Sequence, residues 1–103
     1  MNKLIRDNKV AVLYSPGFGA GWYSWNTDCP QCLFDPELAE IVLGGDREAI
    51  IETAERLYGE QFYTGGAKGL RVEWLDVGTI FEIEEYDGNE SIHIIGDREY
   101  LTA

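Results

Sequence analysis

From Leu70 to Ile94 the chain reads LRVEWLDVGTIFEIEEYDGNESIHI, and its period is two. Leu70, Val72 and Trp74 alternate with Arg71 and Glu73, Phe81 and Ile83 with Glu82 and Glu84, and Ile92 and Ile94 flank His93. Successive side chains of a strand point to opposite faces, so this pattern predicts three half-buried antiparallel strands. Val77-Gly78 and Asp87-Gly88-Asn89 supply the turns between them, the Asp-Gly pair being the stronger hairpin signal. Arg98 to Leu101 is expected to add a short final strand. The reading is a C-terminal β-meander.

Upstream the period becomes helical. Asp35-Pro36-Glu37 combines an N-cap, a proline at the first helical position and an acid in the first turn. Leu38, Ile41 and Val42 then share one face, and Gly44-Gly45 stops the helix. Asp46 caps a second helix, whose buried stripe is expected to be Ile50, Ile51, Ala54, Leu57 and Tyr58, and Gly59 ends it. Further upstream, Lys9 to Tyr14 is a short apolar, β-branched run that fits a buried strand. Between Ser15 and Leu33 neither period is visible, and so long a loop in a small domain is usually functional or disordered. Its aromatics, Trp22, Tyr23 and Trp25, argue against disorder. With no repeat or linker, residues 1–103 are read as a single α+β domain: N-terminal strand, long Gly/aromatic loop, two short helices, C-terminal antiparallel β-meander.

Composition limits the function. The 103 residues are 45% apolar and 13% aromatic, which excludes a disordered chain. Nineteen acids against eight Lys and Arg give a net charge of −11. Direct binding to duplex nucleic acid or an anionic membrane through a basic face is therefore disfavoured. No apolar run is long enough to span a bilayer, and the first residues lack a signal-peptide stretch, so a cytoplasmic protein is expected.

The most specific feature is Ser15-Pro16-Gly17-Phe18-Gly19-Ala20-Gly21-Trp22, directly after a strand. Alternating glycines let backbone N–H groups approach a ligand and form a concavity that holds an anion such as phosphate. The loop is neither a Walker A motif nor a dinucleotide-fold turn, since the lysine and the βαβ context are absent. One reading is a pocket for a nucleotide-type ligand, built from Tyr14, Ser15, Gly17, Gly19, Gly21, Trp22 and Trp25. A second glycine-rich segment forms its other wall through Gly65 and Gly66, with Lys68 and Arg71 offsetting the charge of the chain. The other reading is a compact loop whose aromatics complete the core.

Cys29-Pro30-Gln31-Cys32 is a lone C-x-x-C without a thioredoxin-like context. Zinc would need His93 and a carboxylate, or a second subunit, so ordinary thiols, an interface metal and a redox pair all stay open. His93 alternates outward and shares a face with Glu82 and Glu84, where it reads as a general base or as a surface histidine. The nine acids from Glu73 to Glu99 are either a solvated face or an imitation of nucleic-acid phosphates that docks on a basic protein. No catalytic residue, cofactor or metal is assigned.

The chain resembles a family of small tailed-phage and prophage proteins with an S-P-G-[FY]-G-A-G-W motif. The resemblance rests on Val10 to Trp22, on Leu33-Phe34-Asp35-Pro36, on Gly65-Gly66 and on Glu84-Glu85-Tyr86-Asp87-Gly88. The cysteine pair lies outside the shared pattern. The resemblance implies a phage protein acting in the bacterial cytoplasm. Counter-defence is the role expected for it. One route is homo-oligomeric sequestration of a nucleotide-derived immune signal without cleavage. The alternative is an acidic inhibitor of a host immune protein.

Overall fold

Lys9–Tyr14 forms β2, and its run of fully buried residues from Val10 to Leu13 makes it the centre of the molecule. A strand covered on both faces must also be paired on both edges if its backbone groups are to be satisfied. On one edge lies β1, Ile5–Arg6, joined by a tight turn in which Asp7 and Asn8 both take positive φ, 52° and 62°. On the other lies β3, Arg71–Asp76, in antiparallel register from Lys9 opposite Asp76 to Tyr14 opposite Arg71. The computed structural model describes residues 2–17, 21–95 and 101–103.

The α+β class expected from the sequence is the one adopted, with the C-terminal strands divided between two sheets. β3 leaves its sequence neighbours to complete the edge of β2. β4, Ile80–Tyr86, pairs instead with β5, Asn89–Ile94, and with β6, Leu101–Thr102, in the order β5-β4-β6. The change of sheet occurs at Val77-Gly78, where Gly78 has φ 91°. There the Val77 N–H donates to the Asn8 carbonyl and the Gly78 N–H to the Ala103 carbonyl, so the turn is tied to both sheets. The Asp87-Gly88 hairpin forms where expected, with φ values of 50° and 82°. Residues 98–100 of the expected final strand lie outside the described residues.

Both expected helices form. Asp35 accepts from the Leu38 N–H at the start of α1, Pro36–Gly44, and left-handed Gly45 closes it onto the Ile41 and Val42 carbonyls. Asp46 accepts from the Ala49 N–H at the start of α2, Arg47–Tyr58. Its buried residues are Ile50, Thr53 and Ala54, whereas Leu57, expected inside, is 36% exposed. The neighbours of α2 are α1 and the turn Ala67–Gly69, and they cover the Ile50–Ala54 turn more fully than the last. No helix among the described residues is long and apolar enough to cross a membrane.

Two cores result. Ala11 and Leu13 pack with Leu38, Ala39, Val42, Ile50, Ala54 and Leu70 on the helix side of the first sheet. Val10, Val12 and Leu75 pack with Leu33, Phe34 and Phe81 on the side of the second sheet. Each large apolar side chain so buried contributes about 1.5–3 kcal/mol. Layers therefore run helices, first sheet, second sheet.

Candidate functional site

The stretch after β2 is organised by a residue 75 positions away. Glu90 of β5 is 1% exposed, and its Oε1 accepts from the Ser15 N–H at 2.9 Å. Its Oε2 accepts from the Trp22 N–H at 2.8 Å, the Ser24 N–H at 2.8 Å and the Ser24 hydroxyl at 2.7 Å. The Glu90 N–H also donates to the Ser15 carbonyl, at 2.9 Å. A buried carboxylate is costly unless its lone pairs are met by donors, and here four donors meet them without a cation. The anion that this loop holds is thus the protein's own. The Ser15 and Trp22 amides, expected to grip a ligand's phosphate, are committed to Glu90. Sequence reasoning missed this residue, although Glu90 shares the inward parity of Ile92, where an acid has no reason to sit unless partnered.

The two glycine-rich segments do come together. The Ser15 hydroxyl, fully buried, donates to the Gly66 carbonyl at 3.2 Å, and a Cβ on Gly66 would run into the Gly21 carbonyl and Ser15 Oγ. They pack in contact, with no room for a ligand where they touch. Gly21, at φ 109°, lies against the Trp25 ring, and a Cβ on Gly65 would strike Tyr63. Trp22 is fully buried, donates its indole N–H to the Cys32 carbonyl at 2.8 Å and meets Phe62 edge-on at 5.0 Å. As a stacking surface Trp22 is corrected to a core residue. Tyr14 is half-buried opposite Arg71, Gly17 is half-buried, and Gly19 lies outside the described residues. Lys68 is exposed and pairs with Glu48, at 3.4 Å. Glu48 is in the first turn of α2, roughly 15 Å along the axis from Tyr58. Lys68 therefore stands apart from the aromatic end of that helix.

At that end an open site remains. Trp25, in the 3₁₀ turn Tyr23–Trp25, is 59% exposed, and its ring lies 5.7 Å from that of Tyr63. Asn26 ties the loop to the opposite segment: its amide donates to the Trp22 and Tyr63 carbonyls, and its oxygen accepts from the Tyr63 N–H. A cleft of about 370 Å³ lies alongside, lined by Trp25, Tyr58 and Phe62 with Asp28, Gln61 and Cys29 among its polar edge. The Tyr58 hydroxyl donates to Asp35 Oδ2 at 2.9 Å, and burial together with that bond pushes its pKa well above the ordinary phenol value. Tyr58 therefore stays neutral. The combination offers flat apolar faces, hydrogen-bonding groups and one carboxylate. It suits an uncharged planar group with N–H donors.

The cysteines, both free, divide. Cys29 is half-buried at the cleft, whereas Cys32 is fully buried and burial, reinforced by Cys29, Glu90 and Asp35, pushes its thiol pKa far up. A thiol held protonated is a poor redox nucleophile and metal ligand. A second cleft, of about 380 Å³, is lined by Arg6, Asp7, Lys9 and Trp74, with the Arg6 guanidinium 5.9 Å from the Trp74 ring and paired to Glu40 at 2.6 Å. Cations and an aromatic from all three strands of the first sheet meet there. Of the acids in the C-terminal half, Glu73, Glu84 and Glu85 are exposed and Glu90 is withdrawn from the face. Comparison of the chain with known protein families, with curated proteins and with solved structures finds no match, so the functional reading rests on these residues.

Proposed function

We propose that the protein binds, without chemically altering, a nucleobase-bearing ligand whose base enters the cleft beside Trp25. The observation that carries this reading is a tryptophan left 59% exposed on a loop that an internal carboxylate has already ordered. A pre-formed loop loses little entropy on binding, and stacking one base on an aromatic ring contributes about 1–3 kcal/mol. Asp28 and Gln61 supply acceptors for the amino and imino groups of a base edge. Phosphates would point outward, away from a cleft whose described lining holds no cation. Together with the resemblance to small phage proteins, this favours sequestration of a nucleotide-derived host immune signal in an infected bacterial cell, with copies of the chain associating around a larger ligand.

Thermal unfolding against nucleosides, cyclic oligonucleotides and ADP-ribose derivatives tests it. A ligand at about 100 times its Kd adds ~2.7 kcal/mol, a shift on the order of 10 °C for a domain of this size. Trp25→Ala is expected to abolish the shift and Trp74→Ala to leave it. Undiminished affinity in Trp25→Ala would remove the assignment, and loss in Trp74→Ala alone would move the ligand to the Arg6–Lys9 cleft.

The alternative is an acidic surface that inhibits a basic host protein, favoured by the exposure of Glu73, Glu84 and Glu85. Such a complex would weaken steeply with salt, and Glu84→Lys with Glu85→Lys would abolish it.

A further inference from the structure

The outer face of the second sheet carries a different chemistry from the cleft. Register places Glu82 directly opposite His93, and Glu84 two residues along β4, so all three side chains leave the same face. His93 Nδ1 lies 3.2 Å from Glu84 Oε1, and one ligand atom from each of the three lies within 4.8 Å of the others. Glu82 is half-buried, yet among the described residues nothing forms a hydrogen bond or ion pair with it. Two carboxylates thus converge on one imidazole, the only one in the chain, and the negative charge there is incompletely balanced.

We propose that Glu82, Glu84 and His93 form a site for a first-row divalent metal ion of the zinc class. One imidazole nitrogen and two carboxylate oxygens are the donors such ions take, and three protein ligands leave a position for water or a ligand. Bonds of about 2.0–2.2 Å in a tetrahedral site put ligand atoms roughly 3.4 Å apart. His93 and Glu84 already meet that spacing, and the Glu82 carboxylate lies within 4.8 Å of both. The paired strands hold the Cα positions in place. The groups facing His93 across the sheet are Glu82 and Glu84, and both favour the cation.

Calorimetric titration of the full chain with ZnCl₂ at neutral pH, and with CoCl₂ followed by visible absorption, tests the site. The expected result is one saturable ion per chain, with MgCl₂ producing no saturable heat at the same concentrations. Glu82→Gln and His93→Gln should each weaken Zn²⁺ binding by more than the roughly tenfold to 100-fold that loss of an outer partner costs. Cys29→Ser should leave it unchanged. Because Glu84 and His93 are exposed and Glu82 is only half-buried, circular dichroism should show each variant folded. Equal Zn²⁺ affinity in His93→Gln, loss of binding in Cys29→Ser, or no saturable binding by the parent chain would each overturn the proposal. The Glu82 and His93 outcomes leave the Trp25 cleft untouched, whereas loss of binding in Cys29→Ser would place the metal at that cleft.

Discussion

Glu90 and Glu84 sit on the two strands of one hairpin and point to opposite faces of it. Glu90, inward, is 1% exposed and takes four hydrogen bonds from Ser15, Trp22 and Ser24. Glu84, outward, is 55% exposed and meets a single imidazole. The interior carboxylate is costly to bury unless donors meet its lone pairs, and the chain itself supplies them. The exterior one did not, and so it remains available to something else. Of two acids on one hairpin, the satisfied one builds the structure and the unfinished one is where binding is to be sought.

The largest break in that contrast is Glu90→Ala. Leaving the Ser15, Trp22 and Ser24 amides without an acceptor should destabilise the fold by about 3–5 kcal/mol, at 1–3 kcal/mol for each orphaned group after partial relaxation. Urea unfolding measures it, and a loss below about 1 kcal/mol would mean that water replaces the carboxylate. Trp22 and Trp25 repeat the comparison within one loop. Trp22→Ala removes a fully buried indole and should cost about 3–5 kcal/mol, whereas Trp25→Ala should stay within about 0.5 kcal/mol and lose the ligand instead. Equal melting shifts for the two variants would contradict the inside–outside division.

A smaller effect appears in alkali. The Cys32 thiol ordinarily ionises near 9.0 and is held protonated in the fold, as is Tyr58 relative to its ordinary 10.0. Above those values the unfolded chain has released protons that the folded chain retains. Stability is therefore full below pH 9 and falls as pH rises, by up to about 1.4 kcal/mol per unit for each group. Cys32→Ala should flatten the first part of this decline. In the native state a thiol reagent should modify Cys29 well before Cys32, and simultaneous labelling would argue that the core opens readily. The smallest expected effect is on the exterior: His93→Gln in the absence of metal should change stability by less than about 1 kcal/mol, since an exposed pair contributes little.

The local elements were legible because their signals are local. Asp35-Pro36, Gly45, Asp46 and Asp87-Gly88 each act within a few residues, through a cap, a left-handed turn or a hairpin twist, and each stands where it was expected. Lys9–Tyr14 was legible because a run of buried residues needs no partner to be recognised. The period of Leu70 to Ile94 established strands but not their partners: alternation states which side chains share a face, and β3 has the same pattern whether it pairs with β4 or β2. That choice belonged to β2, whose second edge needed closing.

The candidate site was harder to read for the same reason. The sequence by itself determined a glycine-rich, aromatic loop able to hold an anion, because backbone N–H groups free of side chains can converge on one. Only the tertiary structure decided that the anion is Glu90, that Trp22 faces the core while Trp25 faces the cleft, and that His93 meets Glu82 and Glu84. Each of these depends on strand register or on contacts tens of residues apart, and a contact between distant segments leaves no period along the chain.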